Sequence, residues 1–235
     1  MTLRKYIPDC ITSMNLVCGL IGVIFAIQSR LDFAFYCMLA ASVFDFLDGL
    51  AARALDAYSD IGKELDSLCD VVSFGVLPAL MLYRTMVDLT GAGVFCCLPL
   101  ILAVFSALRL AKFNVDERQH GSFLGLPTPA SAMICGALCC YVFMEPASTP
   151  ARWCAAPWVL PLLAVVLSVL LISELPMFAM KFGKGIEGTD RRTRVKRIAF
   201  LAIAVIGTVV TIALAQHWSL AVLLAFLGYV LVNLF

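Results

Sequence analysis

Over 235 residues the chain is 62% hydrophobic and only 14% charged, against roughly 25% charged in an average soluble domain. That balance excludes an ordinary water-soluble globule and indicates a polytopic, all-α membrane protein. The net charge of +1 gives no reason to expect a nucleic-acid partner.

With about 20 apolar residues needed per crossing, the sequence predicts about eight transmembrane helices, roughly 11–28, 33–54, 62–83, 92–112, 128–145, 156–178, 197–215 and 218–235. The first follows the basic flank MTLRKYIPDCITSMNL, and no small-residue cleavage site comes after it, so it reads as a retained helix and not a signal peptide. The last two, joined only near Gln216-His217-Trp218, read either as two crossings or as a re-entrant hairpin. Nothing between the spans is long enough to separate domains, so residues 1–235 are taken as a single domain. Most of the ten cysteines, Cys18, Cys37, Cys135, Cys139 and Cys140 among them, fall inside apolar runs. No C-x-x-C pair occurs, and the adjacent pairs Cys96-Cys97 and Cys139-Cys140 suit neither zinc nor an unstrained bridge, so the thiols read as small buried packing residues.

Lys and Arg set the orientation. With a cytoplasmic N-terminus, 14 of the 17 basic residues lie on the cytoplasmic side and only Arg30, Arg84 and Arg152 on the other. Both termini are then cytoplasmic, in a multi-pass protein expected in a bacterial cytoplasmic membrane. The same side carries the stretch Asp45–Asp70, at the level where lipid headgroups and water-soluble molecules meet.

That stretch reads DFLDGLAARALDAYSDIGKELDSLCD. Asp45 and Asp48 are three apart and Asp66 and Asp70 four apart, so each pair shares one face of its helix and the two pairs can converge. A single Asp usually caps a helix or faces water. Four at paired helical spacings between apolar runs are different, because intramembrane acids are costly and mark function. Four close carboxylates cannot all stay ionised without positive compensation, and an oxygen-only donor set points to a hard divalent cation, Mg²⁺ or Mn²⁺ before Zn²⁺. Gly49 and Gly62 remove side chains beside the pairs, and Arg53 adds a cation suited to a phosphate.

Asp45, Asp48, Gly49, Ala52, Arg53, Gly62, Asp66 and Asp70 fit without a gap the pattern D-x-x-D-G-x-x-A-R-x(8)-G-x-x-x-D-x-x-x-D, which resembles the signature of the CDP-alcohol phosphotransferase family. The resemblance implies a metal-dependent transferase in which Asp45, Asp48, Asp66 and Asp70 hold two divalent metal ions on a CDP-linked lipid and Asp70 serves as general base. It assigns CDP-lipid contacts to Gly49, Arg53 and Ser59, although Ser59 by itself also reads as a turn residue or helix N-cap. The segment Ile7-Pro8-Asp9-Cys10-Ile11-Thr12 is similar to the family's Pro-Asn-x-x-Thr start, which adds Thr12, with Asp9 in place of the usual Asn.

Further along, Arg109-Leu110-Ala111-Lys112-Phe113-Asn114 and Gly125-Leu126-Pro127-Thr128-Pro129-Ala130 resemble segments of the family's phosphatidylserine synthase branch. What this implies is transfer of a phosphatidyl group from CDP-diacylglycerol to L-serine with release of CMP. A site for serine needs a cation for its carboxylate, and Arg109, with its planar fork, is the candidate, with Lys112, Asn114 and Thr128 as neighbours. Arg109 and Lys112 also read as snorkelling interfacial cations, and the prolines as a helix start. The basic stretch Lys181–Arg197 reads chiefly as attraction to the cytoplasmic face and its anionic lipids, with a substrate contact from Lys181 or Lys184 as the alternative. Membrane lipid is the expected surrounding, and a homodimer stays open. Three other readings also remain: another acceptor alcohol such as glycerol phosphate or inositol, a cation transporter using the same acids, and a lipid-binding module without turnover.

Overall fold

The computed structural model describes residues 6–115, 123–177 and 191–234, which form a bundle of α-helices. α1 (Tyr6–Ile27) and α2 (Leu31–Leu55) are joined by a tight turn and pack along their length. α3 (Asp60–Asp70) runs unbroken through one π-helical turn, Val71–Val76, into α4 (Leu77–Thr90). A 3₁₀ segment, Val94–Leu100, leads into α5 (Ile101–Val115), and α6 (Thr128–Met144), a short α7 (Thr149–Cys154), α8 (Val159–Ile172), α9 (Arg191–Ala213) and α10 (Ser219–Leu234) complete the chain. The two-residue strands β1 (Phe123–Leu124) and β2 (Pro176–Met177) pair antiparallel, Phe123 opposite Met177, and tie the start of α6 to the end of α8.

Among the described residues five helical segments are long and apolar enough to cross a membrane: Tyr6–Ile27, Leu31–Leu55, Asp60–Thr90, Val94–Val115 and Thr193–Ala213. The apolar helices α6, α8 and α10 are shorter. This is the all-α, multi-pass membrane architecture that composition implies. Its centre is α6, where every residue from Ala130 to Val142 is buried. Small side chains make that placement possible: a Cβ at Gly136 would stand 2.8 Å from Phe35 Cδ2 and 2.9 Å from Met38 Cε. Cys135, Cys139 and Cys140 are buried on the same helix and all ten cysteines are free, which agrees with a packing role.

The eight expected spans correspond to eight helical segments, with α1 beginning at Tyr6 and α9 at Arg191, ahead of the expected starts at 11 and 197. The sixth ends at Ile172 and not near 178, since Glu174 and Pro176 disfavour a continued helix and the chain leaves to pair with β1. The short α7, capped by Ser148 accepting from Ala151 N at 3.3 Å, stands where only a connection was expected. At the end of the bundle opposite Asp48, Arg84 pairs with Asp88 at 2.7 Å and also donates to Ser29.

Candidate active site

The last turns of α2 carry Asp45 and Asp48, and α3 carries Asp66 and Asp70. One carboxylate oxygen from each of Asp45, Asp48 and Asp66 lies within 4.8 Å of the others. Asp48 Oδ2 and Asp66 Oδ1 are shut off from water and have no hydrogen-bond partner. A buried acceptor left unpaired costs about 1–3 kcal/mol, more when it is charged. Three converging anionic oxygens with two such orphans therefore fit a hard divalent cation, which would satisfy all of them at once. Asp70 is buried beside this cluster, within electrostatic range of Asp45 and Asp66, and its Oδ1 accepts a 3.2 Å bond from Asn15 Nδ2.

The turn between α2 and α3 holds the two pairs in register. Asp56 closes α2 in the left-handed conformation, φ 49° and ψ 46°, which Asp tolerates better than most residues. Ser59 caps α3, its Oγ accepting from Gly62 N at 2.9 Å, so the capping role weighed from sequence is real. The hydroxyl keeps its own proton free to donate. A side chain at Gly62 would meet Asp9 Oδ1 at 2.8 Å and Ser59 Oγ at 2.9 Å. Around this turn lies a cavity of about 220 Å³ whose walls include Asp9, Thr12, Asp48, Gly49, Ser59, Gly62 and Asp66. Thr12 donates to Pro8 O at 3.0 Å and stands beside Asp48. Arg53 is exposed, and its Nη2 lies 3.9 Å from where a Cβ on Gly49 would be. The guanidinium thus folds back along α2 over the missing side chain.

The sequence-derived residues for a serine site divide into two sets. Arg109 is buried on α5 and donates from Nη1 to Thr128 Oγ1 at 2.9 Å, while its Nε is shut from water without a partner. It lies within electrostatic range of Asp70 and of Tyr229 on α10. Gly125 sets this pair. Its φ of +77° and a would-be Cβ 2.7 Å from both Leu171 O and Ser173 O admit only glycine. With Leu126 N bonded to Leu170 O at 2.9 Å, the start of α6 is pinned and Thr128 faces α5. Lys112 shares the wall of a small cavity with Arg109, and both it and Asn114 have side-chain partners of their own. Lys112 Nζ is 3.4 Å from Glu174 Oε1, and Asn114 Nδ2 donates to Glu64 Oε2 at 3.3 Å and Ser67 Oγ at 3.0 Å, bracing α5 against α3. Lys181 and Lys184 lie outside the described residues.

Sequence reasoning gave no role to Asn15 or Gly19, and noted Ser73 only within Asp70-Val71-Val72-Ser73-Phe74-Gly75, a further segment similar to the phosphatidylserine synthase branch. The three belong to one contact: Asn15 reaches Asp70, Ser73 Oγ donates to Asn15 O at 3.2 Å, and a Cβ at Gly19 would sit 2.3 Å from Ser73 Oγ. Ser73 lies in the π turn directly after Asp70, and such turns concentrate at functional sites. The available signal was the stripe Thr12, Asn15, Gly19 and Gly22 along one buried face of an otherwise apolar helix.

An oxygen-only acid cluster at one end of a helix bundle, open to a cavity with Lys63 in its wall and Arg53 beside Gly49, defines an integral membrane protein with a candidate metal site. The sequence pattern of the CDP-alcohol phosphatidyltransferase family matches residues 5–170, and the chain belongs to that family. Relatives carry more specific names. The protein of Bacillus subtilis (strain 168) named CDP-diacylglycerol--serine O-phosphatidyltransferase is 37% identical over 130 residues, 55% of this chain and 72% of that protein. Its namesake in Mycobacterium bovis is 36% identical over 185 residues, 75% of this chain and 62% of the relative. An archaetidylserine synthase of Methanothermobacter thermautotrophicus is 38% identical over 130 residues, 54% of each chain.

Proposed function

We propose that the protein transfers the phosphatidyl group of CDP-diacylglycerol to the hydroxyl of L-serine, giving phosphatidylserine and CMP. The observation that carries this reading is the convergence of Asp45, Asp48 and Asp66 within 4.8 Å beside the cavity, with Asp70 and Arg109 behind them. The names of the relatives point to the same substrates. Asp45, Asp48, Asp66 and Asp70 would hold two divalent ions, Mg²⁺ or Mn²⁺. When bound, these supply charge neutralisation on the diphosphate and on the departing CMP oxygen.

The remaining work falls to the protein's own groups. Arg53 balances the phosphates, and the bare backbone at Gly49, with the hydroxyls of Ser59 and Thr12, leaves room and hydrogen bonds for the CDP moiety. Asp70 takes the proton of the serine hydroxyl as its oxygen attacks phosphorus; the bond from phosphorus to the CMP oxygen breaks, and CMP leaves with that electron pair. Arg109, oriented by Thr128, receives the serine carboxylate. Lys112 and Asn114 brace the rim of the acceptor side. The excess of Lys and Arg on one side of the spans supports a reading in which both termini and the site face the cytoplasm of a bacterial cell. A single domain over residues 1–235 is supported by α10, beyond the family-matched region, which carries Tyr229 within electrostatic range of Arg109.

The test is purified protein with labelled CDP-diacylglycerol and a panel of acceptors: serine, glycerol phosphate and inositol. A CDP-linked isoprenoid lipid belongs in the panel because of the archaetidylserine relative. Serine-dependent CMP release supports the reading. CMP release with glycerol phosphate or inositol but not serine overturns the acceptor assignment, and cation flux in sealed vesicles without CMP release overturns the enzyme.

A further inference from the structure

Asn15 is fully buried on α1, a helix whose neighbouring side chains are mostly apolar. Its side chain makes a single hydrogen bond, Nδ2 to Asp70 Oδ1 at 3.2 Å, and its Oδ1 is shut from water without a partner. An amide buried on those terms is a poor packing residue. The unpaired acceptor costs stability, and a leucine of similar size would fill the position without that cost. The surroundings nevertheless fix the amide closely: Ser73 Oγ holds the Asn15 carbonyl at 3.2 Å, and Gly19 lets the π turn come within van der Waals range of α1. Both backbones flanking the Asn15–Asp70 contact are therefore clamped. The amide presents its NH₂ group to Asp70 Oδ1 and not its oxygen, the orientation that an accepting carboxylate oxygen requires.

We propose that Asn15 is a positioning residue that holds the Asp70 carboxylate by one oxygen, so that the other faces the reacting hydroxyl. The proposal rests on the reading of Asp70 as the base in the proposed reaction. It explains why a destabilising amide is retained at this depth, and why a π turn, which re-aims the helix, begins at the next residue.

The experiment compares wild type, Asp70→Asn, Asn15→Leu and Asn15→Ala in the full-length protein. It measures thermal stability, binding of labelled CDP-diacylglycerol without serine, and kcat with serine. For Asn15→Leu the expected result is a folded protein, destabilised only by the loss of the one bond to Asp70, with lipid affinity within about twofold. The kcat should fall by about 10- to 100-fold, the usual consequence of removing a group that orients a functional ligand. Asn15→Ala should show the same split should the leucine variant fail to fold. A kcat close to wild type overturns the proposal. So does a loss of kcat in proportion to stability or lipid affinity, or the unfolding of both variants, because each makes Asn15 a scaffold residue. Failure of the underlying reading looks different: Asp70→Asn turns over normally, or wild type releases no CMP with serine, before any Asn15 variant is considered.

Discussion

Replacing Arg109 with alanine should raise the KM for serine about tenfold to a hundredfold and leave that for CDP-diacylglycerol nearly unchanged. Arg109 is 7% exposed, one of its guanidinium donors is taken by Thr128 Oγ1 at 2.9 Å, and Nε faces no protein acceptor. A carboxylate arriving there gains a charge-assisted contact worth about 1.5–3 kcal/mol, and each ~1.4 kcal/mol is a factor of ten in affinity. Arg109→Lys should recover only part of the loss, because a point charge cannot make two parallel bonds. Thr128→Val keeps the shape of the side chain and removes the acceptor that orients the fork. Its effect should be smaller, about 1 kcal/mol or a fivefold rise in KM. The assay is steady-state turnover with serine varied at saturating CDP-diacylglycerol and then the reverse, on variants whose unfolding midpoints are known. Equal rises in both constants would refute the reasoning and make Arg109 a phosphate-facing or scaffold residue.

Asp70→Asn keeps the volume and removes the base, so turnover should fall by a factor of about 10² or more while CDP-lipid binding survives; near-normal turnover alongside an inactive Asp45→Asn would move the base elsewhere. Chelation should abolish activity and Mg²⁺ or Mn²⁺ restore it, and full activity after exhaustive chelation would remove the metal from the account. Gly125→Ala should cost at least about 1–3 kcal/mol of stability, since alanine would have to adopt φ +77° with its Cβ 2.7 Å from two carbonyl oxygens; an unchanged unfolding midpoint would contradict the pinned start of α6.

The four aspartates were legible because spacing alone places them on shared helix faces, and three of them do converge within 4.8 Å. Arg109 was legible as a cation too costly for a membrane helix without a partner; that its partner is Thr128, read from sequence as a hydrogen-bonding group for serine, came only from the structure. What spacing could not give was the direction of side chains near helix ends. Asn114 and Lys112 follow Arg109 by five and three residues, yet their contacts run to α3 and to Glu174 because α5 ends there and its last turn meets other elements. Asn15 escaped notice because it is uncharged and separated from Asp70 by 55 positions in sequence; only tertiary packing brings them together. The π turn at Val71–Val76 likewise has no local signal, since it follows from how the helix fits against α1 and α5.

The central claim is a metal-assisted transfer to serine, and the most direct test follows both products at once. Purified protein, labelled serine and CDP-diacylglycerol are incubated with Mg²⁺ or Mn²⁺ and, in parallel, after chelation. The account predicts labelled lipid and CMP in equal amounts with metal and neither without it. CMP formed without serine entering lipid, or equal yields in the chelated sample, would contradict it.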